Sequence, residues 1–162
     1  MKISILVISL FISSFVFSQR DTAYLHNGKI IVGNIVRIAE QTVIYKNVNE
    51  DVEQTIGKYA VSKIVYGKSG RMETITSKVE INSKSDWKNV VVLENSTAAI
   101  GLTKIADIKS KPPVVGYENA GGNVGKYTEK LQKEAVDKGG QFIVIIPIQG
   151  TNLQARGTAY KY

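Results

Sequence analysis

Residues 121–126, with the sequence GGNVGK, come nearest to a phosphate-binding loop in residue type. A P-loop requires a glycine five residues before its second glycine, and a serine or threonine after its lysine. The corresponding positions here are Ala120 and Tyr127. The stretch therefore predicts an ordinary loop before a helix, where Lys126 stands as a candidate contact for an anion or a partner.

Few other residues in the sequence could take part in catalysis or bind a metal ion. The chain has no cysteine and a single histidine, His26. These counts exclude disulfides, thiolate zinc sites, cysteine nucleophiles, cysteine-linked lipid anchors and centres built from several histidines. His26 precedes Asn27 and Gly28 in a predicted turn, so we interpret it as a solvated turn residue. We predict no catalytic residues, cofactor or metal, although a carboxylate site assembled from distant positions would leave no motif.

Aromatic side chains are better candidates for binding. Trp87 is the only tryptophan, and the chain also has eight tyrosines. Such amphipathic rings line carbohydrate and peptide grooves, although at the ends of strands they also cap a core. We select Trp87, at the start of a predicted strand, together with Tyr117 and Lys126, as candidate contacts for a ligand or partner.

Lysine and arginine outnumber the acidic residues and give the chain a formal net charge of +7. Both halves share this excess, and no basic run alternates with aromatic residues as in segments that bind nucleic acid. We therefore predict a generally cationic surface and no nucleic-acid ligand. Weak binding to anionic surface polymers is a second, minor expectation.

The first eighteen residues have the layout of a secretory signal peptide. Lys2 supplies a positive charge, residues 3–17 are apolar apart from serines, and polarity returns at Gln19. An apolar helix of that length extends about 22 Å, which is less than the roughly 30 Å core of a bilayer. We expect cleavage between Ser18 and Gln19, no stable membrane span afterwards, and a periplasmic or secreted protein.

The junction Ser18–Gln19 resembles the end of the leaders found on exported Bacteroidetes proteins. The tripeptide that begins at Asp21 also resembles the short Asp-Thr/Ser-apolar signal for O-glycosylation in those proteins. This resemblance implies Thr22 as a candidate modification site.

Residues 19–67 have the pattern of a small β-barrel. Five short apolar runs predict five strands, at residues 23–25, 29–38, 42–46, 52–57 and 64–66. Asn27 and Gly28 predict a hairpin turn after the first strand, and Gly33 predicts a bulge or bend in the second. The segments YLHNGKIIVGNIV, TVIYKN and VSKIVYGKSG resemble an SH3-like or Sm-like module of exported Bacteroidetes proteins, which implies that fold here.

Residues 68–87 are polar, and we interpret them as a connector that holds at most one strand, at 73–76. Residues 88–162 predict a ββαββ module, with one helix on an antiparallel sheet. Its helix is expected at 128–138, with Thr128 as N-cap and glycines 139–140 at its end. Its strands are expected at 88–94, 101–109, 141–148 and 153–161. The whole chain is therefore predicted to be α+β and predominantly β.

The segments LQKEAVDKGGQFIVIIP and ARGTAYKY resemble small envelope modules of the Rcs stress-sensor lipoprotein and YbjQ-like families. Those modules have an Ala-rich helix, a pair of small residues before a Val/Ile strand, and a closing Gly-x-Ala-Tyr strand. The resemblance implies the ββαββ fold. It implies no signalling role, because the Rcs sensor relies on cysteines and this chain has none.

Together these features predict an exported envelope protein that acts as a binding or structural accessory, with an envelope protein as its partner, rather than an enzyme. The alternative is a small periplasmic enzyme or ligand carrier with its site in the cleft between the two modules. A deep pocket with converging titratable groups would favour the alternative. A flat, exposed apolar patch would favour the accessory.

Overall fold

The computed structural model describes residues 20–110, 124–146 and 155–162. Within these ranges ten strands form two sheets, joined by one α-helix and three short 3₁₀-helices. The predicted α+β class with a predominance of β structure is confirmed.

The first sheet contains six antiparallel strands in the spatial order β4-β3-β2-β1-β5-β6. They are β1 (Asp21–Leu25), β2 (Ile30–Ile38), β3 (Thr42–Asn47), β4 (Glu53–Gly57), β5 (Val61–Val65) and β6 (Met72–Thr74). The prediction of a five-stranded barrel is wrong, because the sheet is open and has a sixth strand. β6 comes from the expected connector and occupies the free edge of β5, so β4 and β6 are left as the two edges.

Gly33 does not mark a bulge, contrary to its prediction. It pairs regularly with Asp21 and Asn47, and the irregularity in β2 falls between Ile35 and Arg37. A Cβ atom at Gly33 would lie 2.2 Å from the carbonyl oxygen of Lys46. Glycine is therefore required here because the neighbouring backbone is too close for a side chain.

The second sheet has the spatial order β7-β9-β10-β8. Its strands are β7 (Val91–Leu93), β8 (Thr103–Lys109), β9 (Phe142–Ile146) and β10 (Arg156–Lys161). The sheet is mixed rather than antiparallel as predicted, since β7 runs parallel to β9. The later hairpin partners β9 and β10 lie between β7 and β8, so the two early strands occupy opposite edges and never pair.

The helix α1 (Val124–Asp137) covers one face of the second sheet and begins four residues earlier than predicted. Tyr127, Leu131 and Ala135 form the buried stripe that their spacing predicts, and they pack with Ile143 and Ala159. The helix ends as expected at its glycine pair. Gly139 adopts a left-handed φ of 78°, and the N–H of Gly140 donates to the carbonyl of Ala135 at 2.7 Å.

The two sheets share a buried cluster on the other face of the second sheet. Phe142 is fully buried there and packs with Ala98 and Ala99 of the 3₁₀-helix Thr97–Ala99. It also packs with Tyr59 of the 3₁₀-helix Lys58–Ala60, which connects β4 to β5 in the first sheet. A backbone hydrogen bond of 2.8 Å from Gly57 to Ile100 crosses the same contact. The halves of the chain are therefore joined by core packing.

Candidate functional site

Trp87 lies in the 3₁₀-helix Lys84–Asn89, not at the start of a strand as predicted. The carboxylate of Asp86 accepts hydrogen bonds from the backbone N–H groups of Asn82 and Ser83, both at 2.9 Å. These bonds hold the pKa of Asp86 below its usual range. The bond from Ser83 belongs to a capping box between Ser83 and Asp86 at the start of the 3₁₀-helix, and the half-buried indole of Trp87 lies beside α1.

Two lysines approach the indole ring. The Nζ atom of Lys133 lies 4.8 Å from the ring centroid of Trp87, and that of Lys88 lies 5.5 Å away. Both distances permit cation–π attraction. Lys133 also forms an ion pair with Glu129, one turn earlier on α1, and this pair lowers the pKa of the Glu129 carboxyl.

An adjacent ion pair connects the 3₁₀-helix to the end of α1. The Nζ atom of Lys84 lies 2.6 Å from a carboxylate oxygen of Asp137, and this contact raises the pKa of Lys84. The two side chains line a surface recess of about 410 Å³ together with Ser85, Trp87 and Lys133. We call this recess, defined by those five residues, the Trp87 groove.

A second recess of about 370 Å³ adjoins the Trp87 groove at Lys84, which lines both. Its lining includes the polar side chains of Asn82, Ser83 and Gln141 and the ammonium group of Lys161. The two recesses therefore meet at Lys84, and the apolar side chains of Ile81 and Val136 complete the lining of the second.

A different kind of surface covers one face of the first sheet. Directly opposed residues in an antiparallel sheet share a face. The register therefore defines two adjacent rows across β2, β1, β5 and β6, which together we call the outer face. One row is Val32, Thr22, Val65 and Met72, and the other is Ile30, Tyr24, Lys63 and Thr74.

The outer face carries several exposed apolar side chains. Ile30, Val32 and Met72 are 55 %, 47 % and 58 % exposed. The opposite face of the same strands is core, where Ala23 and Ile64 are buried. Lys63 is the charged residue within the two rows, and its Nζ atom lies 5.0 Å above the ring of Tyr24.

His26 lies between the two sheets, and its interpretation as a solvated turn residue is wrong. Its Nε2 is 3.0 Å from the hydroxyl of Thr76, and its ring centroid is 4.6 Å from that of Tyr162. The Tyr162 hydroxyl accepts a hydrogen bond of 2.9 Å from the N–H of Val79. Burial lowers the pKa of His26, and the charge of Lys78 lowers it further. The hydrogen bond with Thr76 acts in the opposite direction and raises this pKa. The imidazole thus makes structural contacts at the junction.

The structure separates the candidates that the sequence selected. Ser18, Gln19 and Tyr117 lie outside the described residues. Thr22 is half-buried at the centre of the outer face. Lys126 is exposed in the first turn of α1, where its charge acts with those of Lys133 and Lys88 on Glu129.

Sequence reasoning missed the residues that accompany Trp87. Lys84, Lys133 and Asp137 were not selected, although Glu129, Lys133 and Asp137 recur every four residues and therefore share one face of a helix. That spacing was the available signal. The side chain of Lys84 reaches the same face only because the 3₁₀-helix packs there, which no local pattern indicates.

Comparison with known proteins gives no relative. No family model matches the sequence, and no curated protein or solved structure is significantly similar to it. Within the three described ranges, no three His, Asp or Glu side chains are grouped so as to hold a metal ion. No helix in that part of the chain is long and apolar enough to cross a membrane. The SH3-like and Rcs-like resemblances remain predictions.

Proposed function

We propose that this protein is an exported accessory module that binds another envelope protein through the outer face of its first sheet. The observation that carries the proposal is the set of neighbouring apolar side chains on that face, in which Ile30, Val32 and Met72 are exposed. Single exposed apolar residues are ordinary, whereas a contiguous patch is typical of a surface that contacts a partner.

The position of the outer face supports a docking role. Four hydrogen-bonded strands hold the two rows in one plane, and their reverse side is packed into the core. The core in turn continues into the second sheet through the cluster around Phe142. The surface is therefore rigid before a partner arrives, so little conformational entropy is lost on binding.

Export is part of the same proposal. The charged start, apolar run and Ser18–Gln19 junction support removal of a leader and release into the periplasm or beyond. The mass of the protein recovered from the envelope fraction tests this directly. A chain that begins at Gln19 is expected, and a chain that retains its first eighteen residues would contradict export by this route.

Docking through the outer face conflicts with O-glycosylation of Thr22. The mass of the protein recovered from the envelope fraction decides between the two. Thr22 stands between Val32 and Val65 in the middle of the outer face. A glycan there would cover the apolar rows and exclude a protein partner. We therefore expect the mass of the unmodified chain, and an added glycan at Thr22 would overturn docking through this face.

Photo-crosslinking in the cell tests the contact. We would place benzoylphenylalanine at Val32, on the outer face, and at Val52 as the matched control. Val52 is an exposed valine in the loop between β3 and β4, outside the two rows. A discrete crosslinked product is expected from position 32 and not from position 52. No product at 32, or the same product at both positions, would contradict the proposal.

A further inference from the structure

The Trp87 groove brings together the groups that recognise a charged sugar. An indole offers a flat apolar surface against which a sugar ring can lie. Lys88 and Lys133 approach this ring, and Lys84, Asp137 and Ser85 line the recess beside it. Ammonium groups pair with sugar carboxylates, while carboxylate and hydroxyl oxygens accept hydrogen bonds from sugar hydroxyls.

We propose that the Trp87 groove binds an acidic polysaccharide, with one sugar ring against Trp87 and its carboxylate paired with Lys133 and Lys84. This site is formed by the 3₁₀-helix Lys84–Asn89 and α1 and uses none of the outer face. It can therefore exist whether or not the outer face binds a protein, and the two proposals are tested by different experiments.

The lysines are available to a ligand because their present partners are exposed. The side chains of Lys84 and Asp137 are 84 % and 46 % exposed, and those of Lys133 and Glu129 are 50 % and 41 % exposed. Ion pairs in contact with solvent contribute little to stability. A ligand carboxylate can replace Asp137 or Glu129 at small cost, and the freed carboxylate can turn towards sugar hydroxyls.

The adjoining recess extends the site beyond one sugar. Lys84 lines both recesses, so a chain that occupies the Trp87 groove continues past it into the second recess. Asn82 offers an amide group there and Lys161 offers a second ammonium group, while the amide of Gln141 is held by the backbone of Val79 and Tyr162. A polymer with a charge on successive units fits this arrangement better than a single small anion.

The same residues disfavour a nucleic acid. Proteins that bind single strands use several aromatic side chains to stack successive bases along a basic channel. Here one indole stands alone among the residues that line the two recesses, and Asp137 and Glu129 alternate with the lysines. The two recesses therefore lack the row of aromatic rings on which successive bases would stack.

The intrinsic fluorescence of the protein reports on this site specifically, since Trp87 is its only tryptophan. We expect polygalacturonate to change the emission of Trp87 saturably, with an affinity that falls as salt is added. The double variant Lys84→Gln/Lys133→Gln should bind at least tenfold more weakly. The matched control Lys104→Gln/Lys109→Gln removes two lysines of β8, one of them in a similar exposed pair with Asp107, and should bind within twofold of the parent.

Two further ligands and one variant separate sugar recognition from other causes. Neutral dextran should bind at least tenfold more weakly than polygalacturonate, and so should polyphosphate, which has charge without a sugar ring. A Trp87→Ala variant followed by calorimetry should lose at least tenfold in affinity for polygalacturonate.

Each contrary result overturns the proposal. Unchanged emission at saturating polygalacturonate excludes the site. If polyphosphate binds as tightly as polygalacturonate, or if Trp87→Ala has no effect, the protein binds polyanions by charge alone and recognises no sugar. Equal binding of dextran removes the role of the lysines. If single-stranded DNA binds more tightly than polygalacturonate, the ligand of this site is a nucleic acid and not a polysaccharide.

Discussion

The two sheets differ in how many of their faces are buried. In β1 the side chains alternate, so that Ala23 and Leu25 enter the core while Thr22 and Tyr24 lie on the outer face. In β9 both Phe142 and Ile143 are fully buried, since α1 covers one face of the second sheet and the cluster shared with the first sheet covers the other. The first sheet can therefore bind through its strands, whereas the second must bind through the elements packed around it.

The sheets also differ in how their strands are connected. Five strand pairs build the first sheet, and all but β1–β5 join strands that follow each other in the chain. In the second sheet Val91 pairs with Phe142, and Thr103 with Lys161. The second sheet therefore depends on contacts distant in sequence, and it is completed by packing on the first.

The strongest test of this dependence is the replacement Phe142→Ala. Phe142 is fully buried and has ring contacts with Tyr59 at 5.7 Å and Tyr162 at 5.0 Å between centroids. Loss of a buried phenylalanine ring costs about 3–5 kcal/mol. We expect the free energy of unfolding in urea to fall by this amount in one transition, seen together by Trp87 fluorescence and far-UV circular dichroism.

The matched control is Ile146→Ala, at an exposed position at the end of the same strand, which should change stability by less than about 0.5 kcal/mol. Separate transitions for the two probes would mean that the sheets unfold independently. In that case the shared cluster would not join the two halves energetically.

A smaller effect is expected where the backbones of the two halves touch. A Cβ atom at Gly57 would lie 2.1 Å from the carbonyl oxygen of Ala98. Gly57→Ala therefore has to push the 3₁₀-helix away from β4, and overpacking of this kind costs about 1–3 kcal/mol. The control is Gly125→Ala in α1, where a Cβ meets open space and should stabilise the helix by about 0.5–1 kcal/mol. If Gly57→Ala and Gly125→Ala change the thermal unfolding temperature equally, the 3₁₀-helix can move away from β4 without a cost in stability.

The contrast between the sheets also explains what the sequence could predict. The first four strands were placed well because β1, β2 and β3 are each followed in the chain by their partner, as at the Asn27–Gly28 turn. The fifth was placed less well, since β5 begins three residues before its predicted start at residue 64. Its closure into a barrel was predicted wrongly, since the strand expected at 73–76 in the connector forms β6 and extends the open sheet beside β5. The helix stripe of Leu131 and Ala135 was predicted from its spacing. The parallel pairing of β7 with β9 was not, because register between distant strands is set by tertiary packing.

The candidate sites follow the same rule. Trp87 was selected because a lone tryptophan is conspicuous in composition. Its surroundings were not predicted, since Lys84 and Asp137 meet across 53 positions of the sequence. His26 was assigned to solvent because its partners Thr76 and Tyr162 are likewise far along the chain from the turn in which it stands. Local patterns identify single residues, whereas a site needs the fold to bring them together.

The smallest expected effect concerns the pH dependence of the junction at His26. Its folded-state pKa lies below the usual value near 6.5, because burial disfavours the charged ring and Lys78 repels it. Above that value the ring is neutral in both states, and it contributes no pH dependence. As the pH falls below about 6.5 the unfolded chain takes up the proton first, so the free energy of unfolding decreases until the pH passes the folded pKa.

One resonance measures this, since the chain has a single imidazole. The NMR shift of the His26 ring protons is expected to titrate below pH 6.5, and Lys78→Gln should move the midpoint upwards. Lys68→Gln, at an exposed position in the β5–β6 loop, should leave it unchanged. Urea unfolding at pH 7.5 and 5.5 should show lower stability at pH 5.5, and His26→Asn should remove that difference. A midpoint at or above 6.5 would mean that His26 is solvated in solution, and the two sheets would then meet without it.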